Sequence, residues 1–543
     1  MKTILGCLLV TASLSLSWAA ELNFYPLFSD HGILQQNAVV PVWGTGTPGA
    51  TVAVSYGGAK ASGVVDPAGK WMVRLQTPKA DEGAFDGIDL SVASGSTQKV
   101  LKDVVVGEVW IGSGQSNMDT PLKDYVVSKD EIGLANHPGI RLYSAAFAGG
   151  GASVSGDFSQ DAWNRCVPEV AAKASATGYY FCRELHRALK VPVGFINMAV
   201  GGSPLSNWML PSWIENDPRT APDYQAFKSG SYPAWVADRV KLVAGWEAQC
   251  AAEKARGLPL TQHWHPFHGE RPDLPIEGIV GNHHVTHIAP TMPFVFKGLL
   301  WDHGESGVGY QLTGDYAIYF SIILDHWRKG FGYDLPVVFI EKGGAWGPTI
   351  CDLDFTNATY PTQTTPIALK DLPPAAPKAG PVFESFEKGS YVWGRMHALP
   401  GCYMATARDL QAALHPPDKD KYGFRFFLTA LHKVYGKPGE WFGPMMVSAK
   451  REGAQVRLRY QYASGGMVAL GGKPPQGFYV ADADGKSDWV AARIEGSEII
   501  LTGPSLAAAK TVSYADVSDG RVMWANVFSR EGLPAYPMTI RIE

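Results

Sequence analysis

The sequence predicts an α/β fold in which a parallel sheet carries helices on both faces, flanked at each end by a β-sandwich module. Three observations lead there. Between about residues 107 and 438, continuous apolar runs alternate with segments whose apolar residues recur at helical spacing. Before and after that span, short runs with apolar residues at every second position are broken by Gly and Pro. The run Gly112-Ser113-Gly114-Gln115-Ser116-Asn117-Met118 follows the apolar stretch Val104 to Ile111, the pattern of a buried strand ending in a tight glycine turn.

Taken in order, residues 1–20 carry Lys2, an apolar core from Ile4 to Leu16 and the small residues Ser17 and Ala19, which read as a secretory signal peptide. A secreted or periplasmic protein follows from that reading. Residues 21–106 hold Val39 to Trp43, Thr51 to Tyr56, Trp71 to Leu75 and Ile88, Leu90, Val92, the strands of the first β-sandwich. From 107 to 438, helix faces are predicted at Gly178, Phe181, Leu185, Leu189, at Tyr316, Phe320, Ile323, Trp327, and at Phe424, Phe427, Leu431, Val434. Strands are predicted at Val191 to Asn197, Val295 to Leu300, Pro336 to Ile340 and before Leu410. A polar, Trp- and His-rich insertion at about 211–290, with a helix from Trp235 to Arg256, reads as a cap over the cleft. Residues 439–543 return to alternation at Val456, Leu458, Tyr460, at Ile499 to Leu501 and at Val512 to Tyr514.

A chain of 543 residues with 46% hydrophobic content and 17 Trp can bury several cores. Its net charge of -4 offers no polybasic field, which argues against a nucleic-acid or membrane partner once the leader is removed. A neutral ligand such as a sugar fits better. Beyond the leader, Cys166, Cys182, Cys250, Cys351 and Cys402 form no C-x-x-C spacing, so a metal cluster is not expected and one or two disulfides are open.

A serine at a strand-to-helix turn is a candidate nucleophile, and it needs a base whose pKa lies near the working pH. Among 14 histidines, His415 opens the loop His415-Pro416-Pro417 after a predicted strand, placing it at the same sheet edge as Ser116. Donors for an oxyanion, each worth roughly 3 kcal/mol in studied hydrolases, are expected from the Gly201-Gly202 turn and from the side chain of His303.

These blocks resemble the sialate O-acetylesterase family of SGNH hydrolases over almost the whole mature chain. Gly107 to Met118 is close to that family's nucleophile block. Gly32 to Gln36, Pro192 to Asn197 with Gly201-Gly202, His415-Pro416 with Lys419, and Asn526 to Pro537 agree in order. The resemblance implies a flavodoxin-like SGNH sheet, Ser116 as nucleophile, His415 as general base, and the Ser116 amide, a Gly201-Gly202 amide and His303 around the oxyanion. It also implies deacetylation of a sialate- or xylan-type glycan without cofactor. Two departures stand out. Where the family reads Trp-Tyr-Gln-Gly-Glu-Ser-Asn, this chain has Asp302, His303 and Gly307 for Tyr, Gln and Asn; and Ala412 and Ala413 occupy the positions where an orienting aspartate is expected. Asp409, Asp302 and Glu305 are the candidate substitutes, with a Ser–His dyad as the other solution. A catalytically impaired carbohydrate-binding protein on the same scaffold is the alternative function.

The six histidines from His263 to His287 lack accompanying carboxylates or cysteines at ligand spacing, so no metal is expected. Trp264, with Gln115 beside the nucleophile, is expected to line the substrate cleft, an aromatic face suited to a sugar ring. Asn357-Ala358-Thr359 fits a glycosylation acceptor.

Overall fold

The computed structural model describes residues 21–125, 129–144, 162–256, 280–309, 312, 314–341, 375–380, 382–383, 392–410, 415–516 and 525–543. The expected leader at 1–20, His263, Trp264, His265, Cys351 and Asn357 lie outside the described residues.

The central sheet is built from β1 (Thr97–Gly114), β2 (His137–Ser144), β3 (Ala162–Cys166), β4 (Val193–Asn197), β5 (Gly298–Asp302), β6 (Val337–Ile340) and β7 (Cys402–Ala405), in the spatial order β3-β2-β4-β1-β5-β6-β7. Only β3 runs antiparallel to its neighbour in this path. With the β2–β3 pair set aside, the parallel strands follow the order 2-1-3-4-5, in which the direction of winding reverses beside the first strand. Ligands gather at such a reversal, outside the strands' carboxyl ends. Here that point lies past Gly114, between β4 and β5.

Period-two alternation of apolar residues explains why both faces are covered. Val109, Ile111, Leu299, Trp301, Val337 and Phe339 join the core shared with helix Tyr316–Phe331, while Trp110, Leu300, Val338 and Ile340 join a second core with helices Ala176–Leu189 and Lys419–Thr429. These helices are α2 (Ala176–Leu189), α3 (Tyr316–Phe331) and α4 (Lys419–Thr429), preceded in the chain by α1 (Ser116–Asp119). The Ser175 hydroxyl caps α2 by accepting from the Gly178 N–H at 2.9 Å, and Asp315 caps α3 by accepting from the Ala317 N–H at 2.9 Å. Gly332, at φ +83°, ends α3 in the left-handed conformation. The expected strand before Leu410 is shorter than its apolar pattern: β7 stops at Ala405, and Arg408–Leu410 is a 3-10 turn.

The amino-terminal strands are not a separate block. β1 pairs antiparallel with Ile88–Ser94 through its first half, parallel with Ile33–Gln35 at Val105 to Gly107, and then with β4 and β5. The 106/107 boundary therefore falls inside one strand. The rest of that region is a three-stranded sheet of Asn23–Phe24, Val39–Thr45 and Lys70–Gln76, with strands Thr51–Tyr56 and Ala59–Val64 joined to Ile88–Ser94. After residue 439 come two four-stranded antiparallel sheets and a two-stranded one. In the 211–290 region, helix Tyr232–Ala255 covers the expected span, and Trp213 of helix Pro211–Asn216 stacks on His326 of α3 at 4.1 Å. Cys166, Cys182 and Cys402 are buried free thiols. Burial pushes the Cys166 and Cys402 thiols up to about 12, which suits packing rather than reactivity. No helix among the described residues is long and apolar enough to cross a membrane.

Candidate active site

The turn that presents Ser116 is forced by two glycines. A Cβ on Gly112 would lie 2.3 Å from Phe195 Cζ, and one on Gly114, at φ +116°, would lie 2.1 Å from the Asp302 carbonyl oxygen. The Gln115 N–H then donates to that same carbonyl at 2.8 Å, and Ser116 opens the single turn of α1. Gln115 itself is buried, its Oε1 facing the Gly304 N–H at 3.5 Å, so it braces the turn beside the next loop instead of lining an open cleft.

His415 Nε2 lies 2.7 Å from Ser116 Oγ, although 299 positions separate them. The parallel sheet brings them together: β1 and β7 end on the same edge, and the two residues follow those ends. His415 is exposed and Ser116 half-buried, so a solute can reach the pair. A serine hydroxyl hydrogen-bonded to an imidazole is the arrangement in which the ring can take its proton.

On one flank, Met198 N–H donates to the Gly112 carbonyl at 2.7 Å and Val200 N–H to the Gly114 carbonyl at 3.0 Å, leading the chain into Gly201-Gly202 beside Ser116. A Cβ on Gly201 would sit 3.4 Å from Ser116 Cβ. The Gly201 N–H bears on the carboxylate of Asp119. Among the described residues, the Ser116 and Gly202 N–H groups donate to no protein acceptor, leaving them as the available backbone donors. His303 differs from its expected role. It is fully buried, with Nε2 at 2.8 Å from the Ser203 carbonyl and Nδ1 at 2.8 Å from the Tyr316 hydroxyl. The carbonyl can only accept, so Nε2 donates to it and Nδ1 accepts from Tyr316. Both ring nitrogens are thereby committed to the scaffold.

The candidate acids are also placed. Asp409 is held at both oxygens by Arg425, at 3.1 and 2.8 Å, and this buried pair ties the turn after β7 to α4. Glu305 Oε1 accepts from Asn117 Nδ2 at 2.6 Å, and Asn117 Oδ1 accepts from the buried Lys419 Nζ at 2.5 Å. One amide of α1 thus bridges a carboxylate in the loop after β5 and an ammonium at the start of α4. Asp302 ends β5 with its side chain buried. The sequence reading missed the Asn117 bridge and Asp119. Asn117 and Lys419 stood in the quoted blocks, but nothing in their spacing indicates that they meet.

His283, His284 and His287 are buried around Trp208 and Trp213. Burial pushes His284 and His287 down to about 4 and holds His283 well below the usual range, with His287 and His303 adding to the effect at His283. A neutral folded histidine and an unfolded one that protonates near 6.5 make stability rise with pH between about 4 and 6.5. The contribution is complete above that window and lost on acidification through it. We expect His287→Gln to have a thermal midpoint that falls less than the wild type's between pH 6.5 and 4.5. Parallel melting curves would contradict this assignment. Among the described residues, no cluster of His, Cys, Asp and Glu could hold a metal ion.

No protein-family model matches the chain. The sialate O-acetylesterase of Rattus norvegicus is 24% identical over 465 residues, covering 81% of this chain and 78% of that protein. The Homo sapiens sialate O-acetylesterase is 23% identical over 466 residues, covering 80% and 74%. The crystal structure of a carbohydrate acetylesterase from Xanthomonas citri matches with a TM-score of 0.64 at 23% identity, covering 95% of this chain and 99% of that one. By sequence across four-fifths of its length the chain is similar to sialate O-acetylesterases, and by fold across nearly all of it to a carbohydrate acetylesterase.

Proposed function

We propose that this protein is an SGNH-type serine esterase that removes O-acetyl groups from sugars through an acetyl-enzyme intermediate. The observation that carries the reading is the 2.7 Å contact between His415 Nε2 and Ser116 Oγ at the open edge of the sheet. Ser116 Oγ attacks the acetyl carbonyl carbon while its proton passes to His415. The Ser116 and Gly202 amides take the negative charge that develops on oxygen. His415 returns the proton to the departing sugar oxygen, and then takes one from the water that releases acetate from Ser116. No cofactor enters these steps.

The relatives' names support an acetylated sugar as substrate; a sialate and a xylan-type polysaccharide are the two candidates to be tested. The leader at 1–20 supports action outside the cytoplasm. Acetate release from a panel of O-acetylated sialates, acetylated xylan and simple aryl esters of increasing acyl length tests the substrate. Release from at least one glycan, with activity on aryl esters falling sharply beyond acetyl, is expected. Preference for long acyl chains would overturn it. One observation favours a second reading, a carbohydrate-binding protein on an esterase scaffold: the imidazole of His303 is committed to Ser203 and Tyr316, so it adds no donor to the oxyanion pocket.

A further inference from the structure

Behind Ser116 lies a carboxyl group that the steps above do not use. Asp119 closes the one-turn helix that Ser116 opens. Its Oδ1 accepts from Asn197 Nδ2 at 3.1 Å, and the Gly201 N–H bears on the same carboxylate. The orientation of the Asn197 amide is set independently, because its Oδ1 accepts from the Ala199 N–H at 3.2 Å and the nitrogen must then face Asp119. Gly201 in turn stands against the Ser116 side chain. One carboxyl therefore joins the nucleophile's own turn to the glycine turn beside it.

We infer that Asp119 is a positioning residue: as a carboxylate it holds the Gly201-Gly202 turn against Ser116, and so sets where the backbone donors meet the developing oxyanion. The inference rests on the serine-esterase reading and deepens it. As a carboxylate, Asp119 accepts from the Asn197 amide at 3.1 Å and attracts the Gly201 N–H. A carboxylic acid carries an O–H that displaces one acceptor site, and one of the two N–H groups then loses its best partner.

The change falls in a useful range. Burial pushes the Asp119 carboxyl up to about 7, with Asn197 and the Gly201 N–H working against that rise. Other charged groups face this turn: the buried Lys419 of α4 and Glu305 of the loop after β5 both hold the Asn117 amide, two residues before Asp119. α2 and its cap present Thr177 and Ser175, which are uncharged; β5 brings Asp302; and the loop before α4 brings His415, which bonds Ser116. Wild type and variant both retain His415, so the two are compared as the ratio of their rates at each pH.

The test is kcat and KM for p-nitrophenyl acetate between pH 5.5 and 8.5, for wild type and Asp119→Asn. The amide side chain stands in for the protonated acid at every pH. The expected result is a kcat about tenfold below wild type at pH 8.5, converging to within about twofold at pH 5.5, with KM little changed. A ratio that does not vary with pH overturns the inference. Asn197→Ala gives a second route should Asp119→Asn fold poorly: removing an N–H that favours the carboxylate should move the alkaline rise in kcat to higher pH, and a superimposable profile counts against the inference. A wild-type protein that neither hydrolyses aryl acetates nor takes a fluorophosphonate at Ser116 would overturn the esterase reading itself. An active enzyme with a flat ratio overturns only the role of Asp119.

Discussion

Alanine at position 116 is expected to reduce hydrolysis of p-nitrophenyl acetate to the level of the blank, a loss of at least about 10^4-fold in kcat. The hydroxyl has no substitute at this edge of the sheet: its neighbours Gln115 and Asn117 are buried amides engaged with the Gly304 N–H and with Glu305 and Lys419. His415→Ala should lose a comparable factor, since the hydroxyl is a weak nucleophile without a base at 2.7 Å. The informative result is the double variant. Residues acting as one unit fail together, so Ser116→Ala with His415→Ala should be no slower than either alone. A Ser116→Ala protein that keeps wild-type turnover would remove the serine from the mechanism. Multiplying losses in the double variant would mean that the two residues act separately.

Gly114→Ala should produce the largest structural effect of a single added methyl group. At φ +116°, a side chain is strained by about 1–3 kcal/mol, and the new Cβ would sit 2.1 Å from the Asp302 carbonyl oxygen. That oxygen is held by the Gln115 N–H and belongs to a strand paired with β1, so it has little freedom to retreat. A total loss of about 3 kcal/mol or more is expected, read as a lower urea midpoint. In the protein that still folds, a Ser116 displaced by about 1 Å should turn over about 100-fold more slowly. Gly133→Ala is the control, because its added methyl lies within a helix and meets nothing within 4 Å, so turnover should be unchanged and the urea midpoint the same or slightly higher. Equal behaviour of the two variants would show that the turn tolerates a side chain.

The strands and helices of the central sheet were legible because burial on two faces leaves a strong signal. Uninterrupted apolar runs such as Val337–Ile340 and the alternating three- and four-residue spacing in Tyr316–Phe331 follow directly from covering both sides of a sheet. The meeting of Ser116 and His415 was legible for a related reason: parallel strands put all their ends on one edge, so residues after strand ends become neighbours whatever their separation in the chain. Side-chain commitments were not legible. His303 reads as a possible donor until Tyr316 and the Ser203 carbonyl are seen on its two nitrogens, and Asp409 reads as an orienting acid until Arg425 is found against it. Asp119 carried no motif at all, because its importance depends on an amide that arrives from β4.

The uncut ribbon from Thr97 to Gly114 has a mechanical consequence. Gln35 and Gln36 grip the two oxygens of Glu108 at 3.0 and 2.6 Å, and the Gln35 side chain also receives the Val109 N–H at 2.9 Å. Those contacts lie upstream of Ser116 on the strand that leads to it, so the first hundred residues act as the anchorage from which the serine is cantilevered. Swapping that anchorage for a foreign domain at residue 107 would leave the cantilever unclamped, and any hinge between the two regions would have to bend the ribbon itself.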